Sequence, residues 1–182
     1  MIRFKQFILE SLDNPYIIKY DTNIEYEGGM RGIDGEFTTK DGTDYNIRGN
    51  LIGRTKTQKD FLKKQKKSGK VMIPPIGIRK GGIWEVHFDQ VNNGVYDNTI
   101  TGDGDSQRVF ATVLAFTKYL IKLQDPDIIS IKSKSEQGEG SRTKLYNALI
   151  KRYASKYGYK VKKVSVIKDI TRVELVKQGT KK

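Results

Sequence analysis

The chain of 182 residues contains no cysteine and a single histidine, His87. The first absence excludes disulfides and thiolate metal sites, and the second excludes a metal centre built from several histidines of one chain. Proline is scarce, at four residues, and no Pro/Ser-rich linker divides the sequence. The longest apolar run is a few residues, far short of the roughly 20 that a membrane-crossing helix needs. Residues 1–10 also lack the long apolar stretch of a secretory signal. These absences lead to the expectation of a soluble chain with no membrane partner, consisting of a short N-terminal peptide, 1–10, and one domain, 11–182.

What the chain does have is positive charge, a net +13 at neutral pH, and it is segregated. Residues 10–48 hold nine acidic and four basic side chains, and residues 85–105 hold five acids with no lysine or arginine. Residues 54–70 hold eight basic side chains against Asp60 alone, and residues 144–182 hold twelve against Asp169 and Glu174. Such patches attract polyanions by releasing counterions, or else form a solvated basic surface. For DNA, the candidates are Lys63, Lys64, Lys66, Lys67, Lys160, Lys162 and Lys163. They address phosphate and carry no base code.

The chain is organised around residues 97–124, a short β-rich run, a glycine turn and an amphipathic helix. Val109, Phe110, Val113, Leu114, Leu120 and Ile121 recur at helical spacing and predict one core-facing stripe. Gly102 and Gly104 permit a tight turn, and Asp105 or Ser106 can cap the helix. Asp103 and Asp105 can alternatively hold a hard cation.

Before this centre, residues 16–51 carry β signals, with Asp41-Gly42 as a hairpin turn. Residues 57–67 form a basic helix capped by Thr55 or Thr57 and anchored by Phe61 and Leu62. Residues 83–91 alternate, setting Trp84, Val86 and Phe88 on one face and Glu85, His87 and Asp89 on the other. That second face offers a general base or a weak metal site, or else a polar strand face. Asn92-Asn93-Gly94 returns the chain as residues 95–101. After the central helix come a buried strand, 127–132, and a helix from Ser141 to Tyr157, with Leu145, Ala148, Leu149 and Tyr153 inward and Gly158 ending it. Two final β runs, 159–167 and 171–176, complete the chain. The class is α+β, a mixed, mainly antiparallel sheet with flanking helices. The strand ending near Thr101 and the one beginning near Asp127 are expected to be parallel neighbours, splayed beside the glycine turn.

Two resemblances follow. MIRFKQFILE, with its basic and aromatic residues and its Ile8-Leu9-Glu10 ending, resembles the capsid-targeting peptides of internal head proteins in T4-like tailed phages. That resemblance implies cleavage after Glu10, a place in the virion, and a stay in the host cytoplasm during assembly; a plain docking helix is the other reading. Residues 83–176 resemble the GCN5-related N-acetyltransferases, with Gly102-x-Gly104 on the coenzyme turn and Leu145-Tyr146 and Gly158-Tyr159 on a second motif. This implies an acetyltransferase-like fold, with acetyl-coenzyme A, if used, at Thr101, Gly102, Gly104 and Ser106. It also implies Tyr146 as proton donor to the departing thiolate, and Glu85 or His87 is a candidate for the amine's base. In this chain Thr99 replaces the expected Gln or Arg, and Asp103 and Asp105 place two carboxylates where a pyrophosphate would rest. Two function classes remain: a virion-associated protein with an acetyltransferase-like fold that uses no cofactor and binds other virion proteins or DNA, and an active acyltransferase on a host or phage target.

Overall fold

The computed structural model describes residues 14–26, 30–69, 80–92, 95–97, 106–134, 150, 153–167 and 170–179. The elements are β1 (Lys19–Tyr26), β2 (Met30–Thr38), β3 (Asp44–Gly53), α1 (Lys56–Ser68), β4 (Ile83–Asn92), β5 (Val95–Asp97), α2 (Ser106–Gln124), β6 (Ile128–Lys134), β7 (Tyr159–Ile167) and β8 (Ile170–Lys177). All eight strands join one mixed sheet in the order β1-β2-β3-β4-β6-β8-β7, with β5 paired to β4. The α+β class expected from the sequence is the class observed.

The alternation of β4 decides which face is core. Trp84, Val86 and Phe88 are buried on the side that also receives Ile33 and Phe37 of β2, Ile47 and Leu51 of β3, Ile129 and Ile131 of β6, and Val173 and Leu175 of β8. Helix α2 lies on this face and buries Val109, Phe110, Val113, Phe116 and Leu120. Each fully buried side chain of this size contributes about 1.5–3 kcal/mol of transfer free energy. Two glycines let the helix approach. A Cβ at Gly35 would sit 3.1 Å from the Phe116 ring, and one at Gly49 would sit 3.4 Å from it.

The only parallel pair among the described strands is β4 with β6, through Ile83↔Ile128 to Val86↔Ile131. This corrects the expected neighbour. The strand lying parallel to β6 is the first arm of the hairpin, while β5 pairs antiparallel with β4 at Gln90–Asn92. An alternating pattern sets a strand's faces but does not name its neighbours, so either arm of the hairpin satisfied it.

One end of this parallel pair is knotted together. Gly81 and Gly82 both have φ near +88° (88° and 87°), and a Cβ at Gly82 would meet the Gly53 carbonyl at 2.6 Å. The Gly82 N–H donates to Asp127 Oδ2 at 2.7 Å, the Gly81 N–H donates to Gln124 O at 2.8 Å, and Trp84 Nε1 donates to Gly81 O at 3.1 Å. The Lys177 N–H donates to Asp127 O at 3.0 Å, and the buried Tyr159 hydroxyl donates to Pro126 O at 2.6 Å. Helix α1 is tied in as well, through Gln58 Nε2 donating to Lys80 O at 3.1 Å.

Candidate functional site

Helix α2 ends at this knot and so begins at the opposite end of the sheet, roughly 28 Å away along its 19 residues. There β4 and β6 part. Their pairing stops at Val86↔Ile131, although β4 runs on to Asn92 and β6 to Lys134. Past the divergence, β5 occupies the side of β4 that β6 has left. Ser106, a candidate coenzyme contact, is the first residue of α2 at this end. Thr101, Gly102, Gly104 and Tyr146 lie outside the described residues, as do the two turn aspartates, Leu145, Ala148, Leu149 and the N-terminal peptide 1–10.

Glu85 and His87 stand on the sheet face away from α2, where registration builds rows of charge. One row runs Asn50, Glu85, Ser130 and Glu174 across β3, β4, β6 and β8. Lys132 Nζ lies 2.8 Å from Glu85 Oε2, and Arg172 Nε donates to Ser130 Oγ at 2.8 Å while standing 3.6 Å from Glu174 Oε1. His87 sits opposite Arg48, whose Nε is 3.9 Å from Asp34. Asp89 is buried rather than solvated. Glu85 is engaged in a charge-assisted contact with Lys132. Among the described residues no three His, Asp or Glu side chains converge as a metal site.

Beyond the candidates named from sequence, the diverging end carries a cleft of about 750 Å³ lined in part by Tyr16, Glu36, Phe37, Tyr45, Asn46 and Arg108. Its wall is an aromatic ladder. Tyr16 stacks on Phe37 with centroids 5.6 Å apart, and Phe37 stacks on Tyr45 at 5.1 Å. The Arg108 guanidinium lies 3.9 Å above the Tyr16 ring and donates through Nε to Asn14 O at 3.0 Å. The Tyr16 N–H donates to Thr112 Oγ1 at 2.9 Å. From sequence, Tyr16 only opens the β-rich stretch 16–51, whereas in the structure it precedes β1. The available signal was the aromatic content of residues 16–45, which gives no register.

The basic residues are arranged most regularly on α1. Thr55 caps it, accepting from the Gln58 N–H while Gln58 Oε1 accepts from the Thr55 N–H, and Gly69 ends it in the left-handed region at φ 63°. Only Gln58 is buried, and Phe61, Leu62 and Gln65 are half-buried. At about 100° per residue, Lys56, Lys59, Lys63, Lys66 and Lys67 fall within an arc of about 100°, and all five are exposed, with Lys64 exposed outside the arc. Of the strand candidates, Lys160, Lys162 and Lys163 are exposed on β7, and Lys162 Nζ lies 3.9 Å from Glu174. Lys160 faces Val176, in the row that leads to Ile128 and Ile83, so it sits at the knotted end, to which α1 is also tied. No described helix is long and apolar enough to cross a membrane. Compared with protein-family models, curated proteins and solved structures, the chain matches none of them.

Proposed function

We propose that this chain is a tailed-phage virion protein in which an acetyltransferase-like scaffold serves as a binding module, gripping DNA through backbone phosphates and meeting other virion proteins. The scaffold reading is supported by the sheet path, antiparallel strands on either side of one parallel pair that part beside the start of α2. The observation that carries the DNA reading is the exposed lysine arc of α1. Five ammonium groups on one helix face meet phosphates as point charges, fixing position without reading sequence. Fluorescence anisotropy with two duplexes of unrelated sequence tests it. Equal affinities are expected, with a slope of log K against log salt of about −4.5 if the five lysines neutralise five phosphates. A slope near zero sinks the reading. The phage assignment rests on residues 1–10, and mass spectrometry of protein from purified particles is expected to find its N-terminus at Ser11; an intact Met1 leaves those residues as a docking peptide.

The divergence of β4 from β6 beside the start of α2 favours a second reading, an acyltransferase that holds acetyl-coenzyme A with Thr101, Gly102, Gly104 and Ser106 and uses Tyr146 as the acid. The helix end contributes roughly half a positive charge to an anion, while Asp103 and Asp105 each bring a full negative one. Calorimetry at moderate salt is expected to detect no acetyl-coenzyme A binding by the unmodified protein, and some binding after Asp103→Asn with Asp105→Asn. Tight binding by the unmodified chain would establish the second reading over the first.

A further inference from the structure

Among the described strands the outer two are β1 and β7, and their charges are opposite in character. β7 carries Lys160, Lys162 and Lys163, all exposed, followed by Val164 and Val166 at 39% and 60% exposure. Lysines and a bulge are the usual protection of a strand edge, and β7 has both, with the bulge between Val161 and Lys163. They guard it against another β7, which would set lysines against lysines. They do not guard it against a strand that brings carboxylates. β1 contains Asp21 and Glu25, and its Tyr20 is 39% exposed.

Direction and face also agree. Of the six steps from β1 to β7, five are antiparallel and one is parallel, so the two outer strands run in opposite directions. A second copy displaced along the sheet, with its helices on the same side, therefore presents β1 antiparallel to β7. Val164 lies opposite Val173 and so belongs to the α2 side of the sheet, where Tyr20 also stands, 4.2 Å from the Tyr119 ring. Lys163, opposite Glu174, and Asp21, opposite Asp34, share the other side. In the register that sets Val164 beside Tyr20 of the next copy, Lys163 meets Asp21 and Val166 meets Ile18. A slip of two residues one way sets Lys163 against Lys19, and a slip the other way parts it from Asp21.

We propose that β7 of one copy pairs with β1 of the next, joining molecules head to tail through a continued sheet. Such an interface is heterologous, so it propagates into an open chain or closes into a ring. The cysteine-free sequence gives a direct test. Lys163→Cys and Asp21→Cys occupy exposed strand positions, and cross-strand neighbours have the spacing that a disulfide needs. Under mild oxidation the double variant is expected to give a ladder of covalent multimers on a non-reducing gel, while either single variant gives no species beyond a dimer. A double variant that forms no more multimers than the single variants overturns the proposal, as does efficient dimerisation of Lys163→Cys alone, which would mean β7 pairs with itself. If the occupant of β7 is instead an acidic strand of another protein, the double variant stays monomeric, and that result too is a refutation.

Discussion

The two ends of the parallel pair differ in how completely their polar groups are used. At the Gly81–Gly82 end, two helices, β4, β6 and β8 converge, and backbone N–H groups, a side-chain amide, an indole and a phenol donate to backbone carbonyls and to the Asp127 carboxylate at 2.6–3.1 Å. At the other end the strands part and an aromatic-walled cleft of about 750 Å³ opens beside the start of α2. A sheet held shut at one end can tolerate divergence at the other, because the register of β4 and β6 is already fixed within four residue pairs. Substitutions at the closed end are therefore expected to cost stability, and substitutions at the open end are expected to cost little.

The largest loss is expected from Gly82→Ala. The added methyl meets the Gly53 carbonyl at 2.6 Å and a Leu51 methyl at 2.8 Å, at a φ of +87° that side chains rarely adopt. Overpacking together with left-handed strain is expected to cost about 3 kcal/mol in urea denaturation. A loss below about 1 kcal/mol would mean that the knot is not what holds the end closed.

Tyr159→Phe comes next, at about 1–3 kcal/mol, because the buried Pro126 carbonyl loses its donor. Burial first, then the charges of Asp125 and Asp127, push the Tyr159 hydroxyl well above the usual tyrosine range. The folded state thus favours the neutral phenol. Its contribution is complete below about pH 10, the unfolded value, and is lost as pH rises from there toward the folded value. Denaturation followed from pH 9 upward is expected to show a shallower alkaline fall for Tyr159→Phe than for the unmodified chain; parallel curves would contradict the assignment.

Thr55→Ala removes one half of the reciprocal cap of α1, and about 1 kcal/mol is expected to be lost. Smallest is Asp41→Asn, in the β2–β3 turn beside the cleft. The Thr39 hydroxyl, then the Thr43 N–H, hold the Asp41 carboxyl below its usual value. Its contribution is present above about pH 4 and fades as pH falls through the lower folded value. Only a slight flattening of the acid limb is expected, and a steep change there would make the open end as tightly determined as the closed one.

The closed end was the more legible in sequence. A threonine cap at Thr55 or Thr57, of which the structure uses Thr55, Gly158 as helix terminator and the inward Trp84, Val86 and Phe88 all follow from local patterns, because capping, positive φ and alternation act over a few residues. Phe116, Thr112 and Thr117 were missed, although all three are buried. Each threonine hides its hydroxyl by donating to the carbonyl four residues back, Thr112 to Arg108 and Thr117 to Val113, both at 2.8 Å. A polar residue type then behaves as a core residue. The Tyr16 ladder, the Lys132–Glu85 pair and the parting of β4 from β6 depend on register between strands far apart in the chain, which periodicity does not encode.

The phosphate-gripping surface proposed for this chain is the lysine arc of α1. It is tested most directly by replacing Lys56, Lys59, Lys63, Lys66 and Lys67 together with Gln and repeating the salt titration of duplex DNA binding. All five are exposed, so the fold is expected to survive, as circular dichroism can verify. The slope is expected to fall from about −4.5 toward zero, with affinity at low salt lost. An unchanged slope would contradict it, placing the DNA contact elsewhere on the chain.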